Sequence, residues 1–244
     1  MNQWLMNAIG PFIFIQLFVS HIALAQTSDT QSWNSILIDW NFRASMLVEL
    51  ELDYNQLISG GETWREYAIQ PVFEYYPDNT FDLFGGIYLS NTKQNNTKDT
   101  KEVRPMAGIR WNIIKPERRV FFRSQFKYEY RYFISDEDKD RIASRIRLRL
   151  DLFIPITKKS YNEDNNLYGK IFTEGFYNFD NEIRERFQST FRQYIGLGYR
   201  YNYSYRLELD YVYQTSRDSI EDENPDNISN VVNLTFKYYI QTRR

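Results

Sequence analysis

Three carboxylates at alternate positions, Glu49, Glu51 and Asp53, are the residues best placed by their spacing to do chemistry. In an extended strand they fall on one face at intervals of about 7 Å. That separation lies within the range of roughly 5–10 Å that glycoside hydrolysis asks of its two carboxyl groups. The same spacing also serves a wall of fixed charge balanced by arginines, and ion networks of that kind are the commoner use of such groups. The second use is the one expected here. Much of the remaining catalytic repertoire is missing, because the only histidine is His21 and there is no cysteine. Hydrolases and acyltransferases that need an imidazole base are excluded by that route. Zinc, copper and haem lose their usual ligands. No catalytic, cofactor-binding or metal-binding residue is assigned, no cofactor is expected, and neither is an enzyme.

Two other stretches invite chemistry and carry little of it. Gly196-Leu197-Gly198 lacks the third glycine and the following helix of a dinucleotide motif. It is expected instead to relieve crowding on an inner wall beside Arg192 and Arg200. Asp218, Glu221, Asp222, Glu223 and Asp226 supply oxygen ligands but not the regular spacing of a calcium loop, so a solvated loop is the expectation.

The elements that must position these charges are strands. Between residues 119 and 154, Val120, Phe122, Phe126, Tyr128, Tyr130 and Tyr132 alternate with Arg119, Arg123, Gln125, Lys127, Glu129 and Arg131. After Ser135-Asp136-Glu137-Asp138, Ile142, Ile146, Leu148, Leu150, Leu152 and Ile154 alternate with Arg141, Arg145, Arg147, Arg149 and Asp151. A helix would scatter those arginines around its cylinder, whereas a strand gathers them in one column. Each run is about 14 residues long, more than a soluble sandwich usually sustains. It suits a tilted strand crossing an apolar band of roughly 25 Å.

The N-terminus carries an apolar run from Ala8 to Val19, then Ala23-Leu24-Ala25, the pattern of a secretory signal peptide cleaved after Ala25. Residues 26–244 are then one domain. Lys plus Arg total 30 against 32 for Asp plus Glu, so bulk charge gives no pull toward nucleic acid. The 18 Phe and 20 Tyr sit in a chain whose mean hydropathy is −0.61. Many aromatics in a hydrophilic chain fit a barrel with one apolar face and Tyr/Trp belts.

Along the chain, the alternation begins at Trp33 and gives Ile36, Ile38, Trp40 and Phe42 on one face. Eleven strands can be counted, with longer loops at 55–63, 91–101, 134–140, 178–187 and 217–228. Only the polar stretch 157–166 breaks the alternation of short turns with long loops. Two periplasmic termini require an even number, so an antiparallel transmembrane β-barrel of about twelve strands is expected, with ten as the alternative. Its lumen would be lined by Arg123, Lys127, Glu129, Arg131, Arg141, Arg145, Arg147, Arg149 and Asp151. Glu49, Glu51 and Asp53 on the second strand, with Glu208 and Asp210 on the tenth, would provide an opposing acidic wall.

Several short segments, in order, resemble an uncharacterised outer-membrane barrel family, domain-of-unknown-function family 2490, found mostly in Bacteroidota. They are Trp33; Glu102-Val103-Arg104; Phe126-Lys127-Tyr128-Glu129-Tyr130-Arg131-Tyr132-Phe133; Arg145-Ile146-Arg147; Ile154-Pro155-Ile156-Thr157-Lys158; Glu174; and Gly196-Leu197-Gly198-Tyr199-Arg200. The resemblance implies location in the outer membrane of a Gram-negative bacterium and leaves activity open. The expected function is a narrow, porin-like channel for small polar or anionic solutes with an arginine-rich lumen. A non-conducting structural or surface-interaction barrel acting through its outer loops is the alternative, and a soluble periplasmic ligand-binding β-protein is a third reading. Expected partners are outer-membrane lipid, the barrel-insertion machinery during assembly and a small anionic solute. An open lumen and one filled by long side chains both remain consistent with the sequence.

Overall fold

Side-chain alternation makes strands, and an apolar face on nearly every strand forces them to share one sheet. The computed structural model describes residues 28–59, 63–78, 80–94, 99–135, 140–179, 191–216 and 227–241. Its strands are β1 (Ser28–Arg43), β2 (Met46–Leu57), β3 (Trp64–Tyr75), β4 (Phe81–Gln94), β5 (Thr100–Ile114) and β6 (Phe121–Ser135). They continue with β7 (Arg141–Pro155), β8 (Asn166–Asn178), β9 (Phe191–Arg200), β10 (Tyr205–Ser216) and β11 (Asn227–Gln241). Consecutive strands pair antiparallel, and β1 closes the barrel against β11 in parallel.

The expected even count is therefore corrected: eleven strands close, not twelve or ten, and the sheet is mixed rather than wholly antiparallel. Residues 28–32, which precede the alternation beginning at Trp33, lengthen β1 and pair with β11 from Ser28↔Ile228 onward. A parallel seam satisfies backbone donors and acceptors almost as well as an antiparallel one, so closure needs no even number. The odd count places the start of β1 and the end of β11 at opposite ends of the barrel.

The two ends of the polar stretch 91–101, expected as loop, are strand. β4 continues to Gln94 and β5 begins at Thr100, paired Asn91↔Lys101 and Thr92↔Thr100. A ladder needs backbone partners rather than apolar side chains, so strands extend beyond the apolar part of the wall. The segment expected to be a signal peptide and most of the acidic loop 217–228 lie outside the described residues.

Even and odd positions divide the side chains between two surfaces. The middle of the outer wall is aliphatic, with Ile36, Leu52, Ile69, Leu148, Leu197 and Leu209 all exposed. Aromatic residues flank it on both sides. Tyr67, Tyr130, Tyr177 and Tyr211 lie toward the long-loop end, and Trp40, Phe81, Trp111 and Tyr205 toward the short-turn end. The interior is largely polar, interrupted by an aromatic cluster of Phe121, Phe153, Tyr161, Tyr168, Phe172 and Tyr194, which starts at the turn end and climbs the β8–β9 wall, and by a smaller apolar patch of Val72, Phe84 and Met106 on β3–β5.

Candidate functional site

Inward-facing side chains of β1–β11 enclose a cavity of ≈ 340 Å³. Its walls differ in charge. On β6, β7 and β8 three carboxylates with almost no solvent contact organise the cations. Glu129 accepts from Lys127 Nζ at 3.0 Å, from Arg147 Nη1 at 2.8 Å and from Arg145 Nε. Glu174 takes the other edge of Arg147 at 2.5 Å and lies 4.0 Å from Arg192. Asp151 holds Arg123 at 2.7 Å and Arg149 at 2.5 Å. Glu129–Arg145 and Arg123–Asp151 are direct partners across the β6–β7 ladder, Lys127–Glu129 and Arg149–Asp151 run along single strands, and Arg147 reaches Glu129 and Glu174 diagonally on the neighbouring strands.

Nearer the long-loop end, Glu102 accepts two guanidinium forks. Arg104 donates through Nε and Nη2 at 2.6 Å each, and Arg131 through the same atoms at 2.7 and 3.0 Å. Both guanidinium groups also lie on aromatic faces, Arg104 over Tyr88 at 4.3 Å and Arg131 over Phe133 at 4.6 Å. Glu74 on β3 receives Arg110 Nη1 and Tyr76 Oη, each at 2.5 Å. A lattice of this kind adds little net stability over an apolar core, but it fixes the geometry of every member.

The β1–β3 wall is different. Glu51 accepts from Gln70 Nε2 at 2.7 Å and Asp53 from Ser35 Oγ at 2.6 Å. Glu66 accepts from Asn55 at 3.0 Å and from Tyr88 Oη at 2.9 Å. Among the described residues, no Lys or Arg nitrogen comes within 4.0 Å of Glu49, Glu51, Asp53 or Glu66. Glu49, Glu51, Asp53 and Glu66 all line the cavity. β2 stands five strands from β7 around the ring, the greatest separation that eleven strands allow.

Of the residues expected in the lumen, Arg123, Lys127, Arg131, Arg145, Arg147, Arg149, Glu49, Glu51, Asp53, Glu208 and Asp210 border the cavity. Glu129 and Asp151 are buried behind it. Arg141 is a correction: it shares the inward parity but sits in the last pair of β7, opposite Phe133, and is exposed. Alternation assigns a face, not a depth. The acids of β10 are a second correction, since they do not oppose the β6–β7 cations. Glu208 and Asp210 both grip Lys170 of β8, the latter at 2.7 Å, and Glu208 also takes Tyr168 Oη at 2.6 Å. Trp33, of opposite parity to Ile36, faces inward, beneath Arg192 at 5.0 Å and against the aromatic cluster.

The glycines of β9 make room, though not for the arginines expected. A Cβ on Gly198 would meet the Tyr168 ring, its Oη at 2.5 Å, and one on Gly196 would meet the Leu209 carbonyl at 2.5 Å and the Asp210 side chain. Sequence reasoning also passed over Lys170, Glu74, Glu102, Arg104, Arg110 and Lys237. The signal was the alternation already used on β6 and β7, present on β3, β5, β8 and β11 as well.

The least expected part is the segment 156–165, which folds back over the turn end of the barrel. Tyr161 is buried there with ring centroids 4.8 Å from Phe153 and 4.8 Å from Tyr168, and it accepts a hydrogen bond from Arg206 Nη1 at 2.7 Å. Glu163 accepts from the Lys159 and Ser160 amides, Asn166 donates to the Ser160 carbonyl, and Arg200 reaches Asp164 at 3.3 Å. Asn165 takes the left-handed conformation, φ 52°, that turns the chain into β8. Among the described residues no group of three or more His, Cys, Asp or Glu is arranged to hold a metal ion.

A family model described as Protein of unknown function (DUF2490) matches residues 30–224. No curated protein and no solved structure matches the chain.

Proposed function

The chain belongs to the DUF2490 family, and from that premise we propose that it is an outer-membrane β-barrel passing small polar solutes through a narrow, charge-polarised lumen. A membrane setting is supported by the outer wall. An aliphatic band flanked by Tyr, Trp and Phe on both sides matches the two interfaces of a bilayer. Closure leaves no unpaired sheet edge in the apolar region. Residues 1–25 would direct export to the outer membrane of a Gram-negative bacterium, with insertion machinery and lipid as the obligatory partners.

The observation that carries the transport reading is the cavity of ≈ 340 Å³ with arginines on one side and, on the other, carboxylates that have no cation in ion-pair range among the described residues. Such a field orients a polar solute and rejects apolar ones. No enzymatic role is proposed, because the chain after His21 has no imidazole or thiol and Glu49, Glu51 and Asp53 are read as fixed charge on the cavity wall. The test is to refold residues 26–244 in detergent and record current across a planar bilayer under a salt gradient. Discrete conductance steps are expected. An inserted barrel without steps overturns the transport reading, and release by osmotic shock without detergent overturns the membrane setting as well.

A second reading has its own observation. The stack of Tyr161, Phe153, Phe121 and Tyr168 fills the turn end, as expected of a non-conducting barrel that works through its outer loops. Silence in the bilayer from a chain that still inserts selects it.

A further inference from the structure

The anion preference expected of an arginine-rich lumen does not follow from the ion pairing. Six cations, Arg123, Lys127, Arg145, Arg147, Arg149 and Arg192, share the three carboxylates Glu129, Asp151 and Glu174. That wall is left with a positive surplus, but one already spread over a buried network. Across the cavity, Glu49, Glu51 and Asp53 have no cation within ion-pair distance among the described residues. Lys237, the cation nearest them in the ladder through Leu37↔Lys237 and Leu37↔Glu51, has its ammonium 3.5 Å from Glu208. The two surpluses have opposite sign and face each other.

A simple anion entering this space meets the arginines and is repelled by the unpaired carboxylates, and a simple cation meets the reverse. A molecule carrying both charges is attracted at both walls, and its own dipole replaces the water that would otherwise screen them. The volume is that of a small-ligand site, for which roughly 300–1,000 Å³ is usual.

A second observation points independently to an occupant. Gln31 is 1 % exposed and lines the cavity, and its Oε1 accepts from Trp33 Nε1 at 3.0 Å, which fixes the amide. Its Nε2 then has no acceptor among the described residues. A buried donor without a partner costs free energy unless a solute or water supplies an acceptor oxygen.

Resting on the transport reading, we propose that the chamber selects a small zwitterion of the free α-amino acid class. Its ammonium group is taken by Glu49, Glu51 and Asp53, and its carboxylate by Arg149 and Arg123, the cations of the β6–β7 ion-pair lattice with the most exposed side chains at 25 % and 22 %. Gln31 donates to an oxygen of the solute.

The experiment titrates the refolded barrel in detergent micelles by saturation-transfer NMR with three probes of matched size: L-alanine, propionate and ethylammonium. L-alanine is expected to bind about tenfold or more tightly than either singly charged probe, a discrimination equivalent to about 1.4 kcal/mol. The double substitution Glu51→Gln with Asp53→Asn should reduce alanine to the level of propionate. Arg149→Gln should weaken alanine without weakening ethylammonium, so either variant suffices if the other does not refold. Propionate or ethylammonium binding as tightly as alanine overturns the proposal, and so does absence of binding to a barrel whose β-sheet circular dichroism is intact. Because binding is read in micelles, a silent bilayer with alanine binding removes the channel and keeps the zwitterion site. Conductance without alanine preference does the opposite.

Discussion

Glu129 is 0 % exposed and accepts from three cations, so it is the residue on which the β6–β7 lattice depends. Glu129→Gln removes the charge without changing the shape and leaves Lys127, Arg145 and part of Arg147 buried without compensation. Breaking a buried network in this way costs about 3–5 kcal/mol. The urea midpoint of the refolded barrel should fall accordingly, and a variant within about 0.5 kcal/mol of the parent would mean that the lattice is not formed. Glu49→Gln makes the informative contrast. No cation within 4.0 Å is lost, and repulsion along β2 is relieved, so stability should hold or rise slightly. The alternation of β2 made the facing of these carboxylates legible in the sequence. The count of cations within reach of each one was not, because that depends on strands about 20 to 200 residues away in the chain.

At the scale of elements, the segment 156–165 matters most. Its position after β7 puts it on the end that otherwise carries tight turns, and Tyr161 uses the extra length to enter the barrel. Tyr161→Ala removes the ring from contact with Phe121, Phe153 and Tyr168 and should destabilise the barrel by about 3 kcal/mol. It should also widen the turn-end mouth, so single-channel conductance is expected to rise. Unchanged conductance together with lowered stability would show that this end does not limit flow. The β3–β4 turn offers a pH test. Asp78 is exposed and accepts from the Thr80 and Phe81 amides at 2.5 and 3.0 Å, bonds that hold its carboxyl below the ordinary aspartate range. A lowered folded-state value means that the stabilisation is present above the unfolded value of about 3.9 and is lost as pH falls through the folded one. Asp78→Asn should therefore lose less stability than the parent on acidification from about pH 5 to 2. An identical acid limb in both proteins would rule this contribution out.

For the whole molecule, the parallel seam decides strand count, the ends at which the termini lie and which walls face each other. It is directly testable in a chain without cysteine. Ile36 and Phe236 are register partners across β1 and β11 and are both exposed on the outer wall. Paired Cα atoms bridged by a disulfide lie about 4.4–6.8 Å apart. The double substitution Ile36→Cys with Phe236→Cys should cross-link on mild oxidation of the folded barrel and not in urea. Failure to cross-link the folded form would sink the eleven-strand closure.

Taken alone, the sequence determined which residues are strands and which side chains share a face, because a period of two is a property of the local backbone. Thus β2, β6 and β7, the inward Glu49, Glu51 and Asp53, and the arginine column were all readable without a fold. Family membership was readable too, from short segments spread over residues 30–224. Tertiary structure decided how far along the barrel each residue sits and what lies across from it. It moved Arg141 to the rim, turned Glu208 and Asp210 toward Lys170 and sent Tyr161 into the turn end. The physical reason is that ion pairs and ring contacts form between strands, whose partners are set by register and closure, and neither is encoded in the periodicity of a single strand.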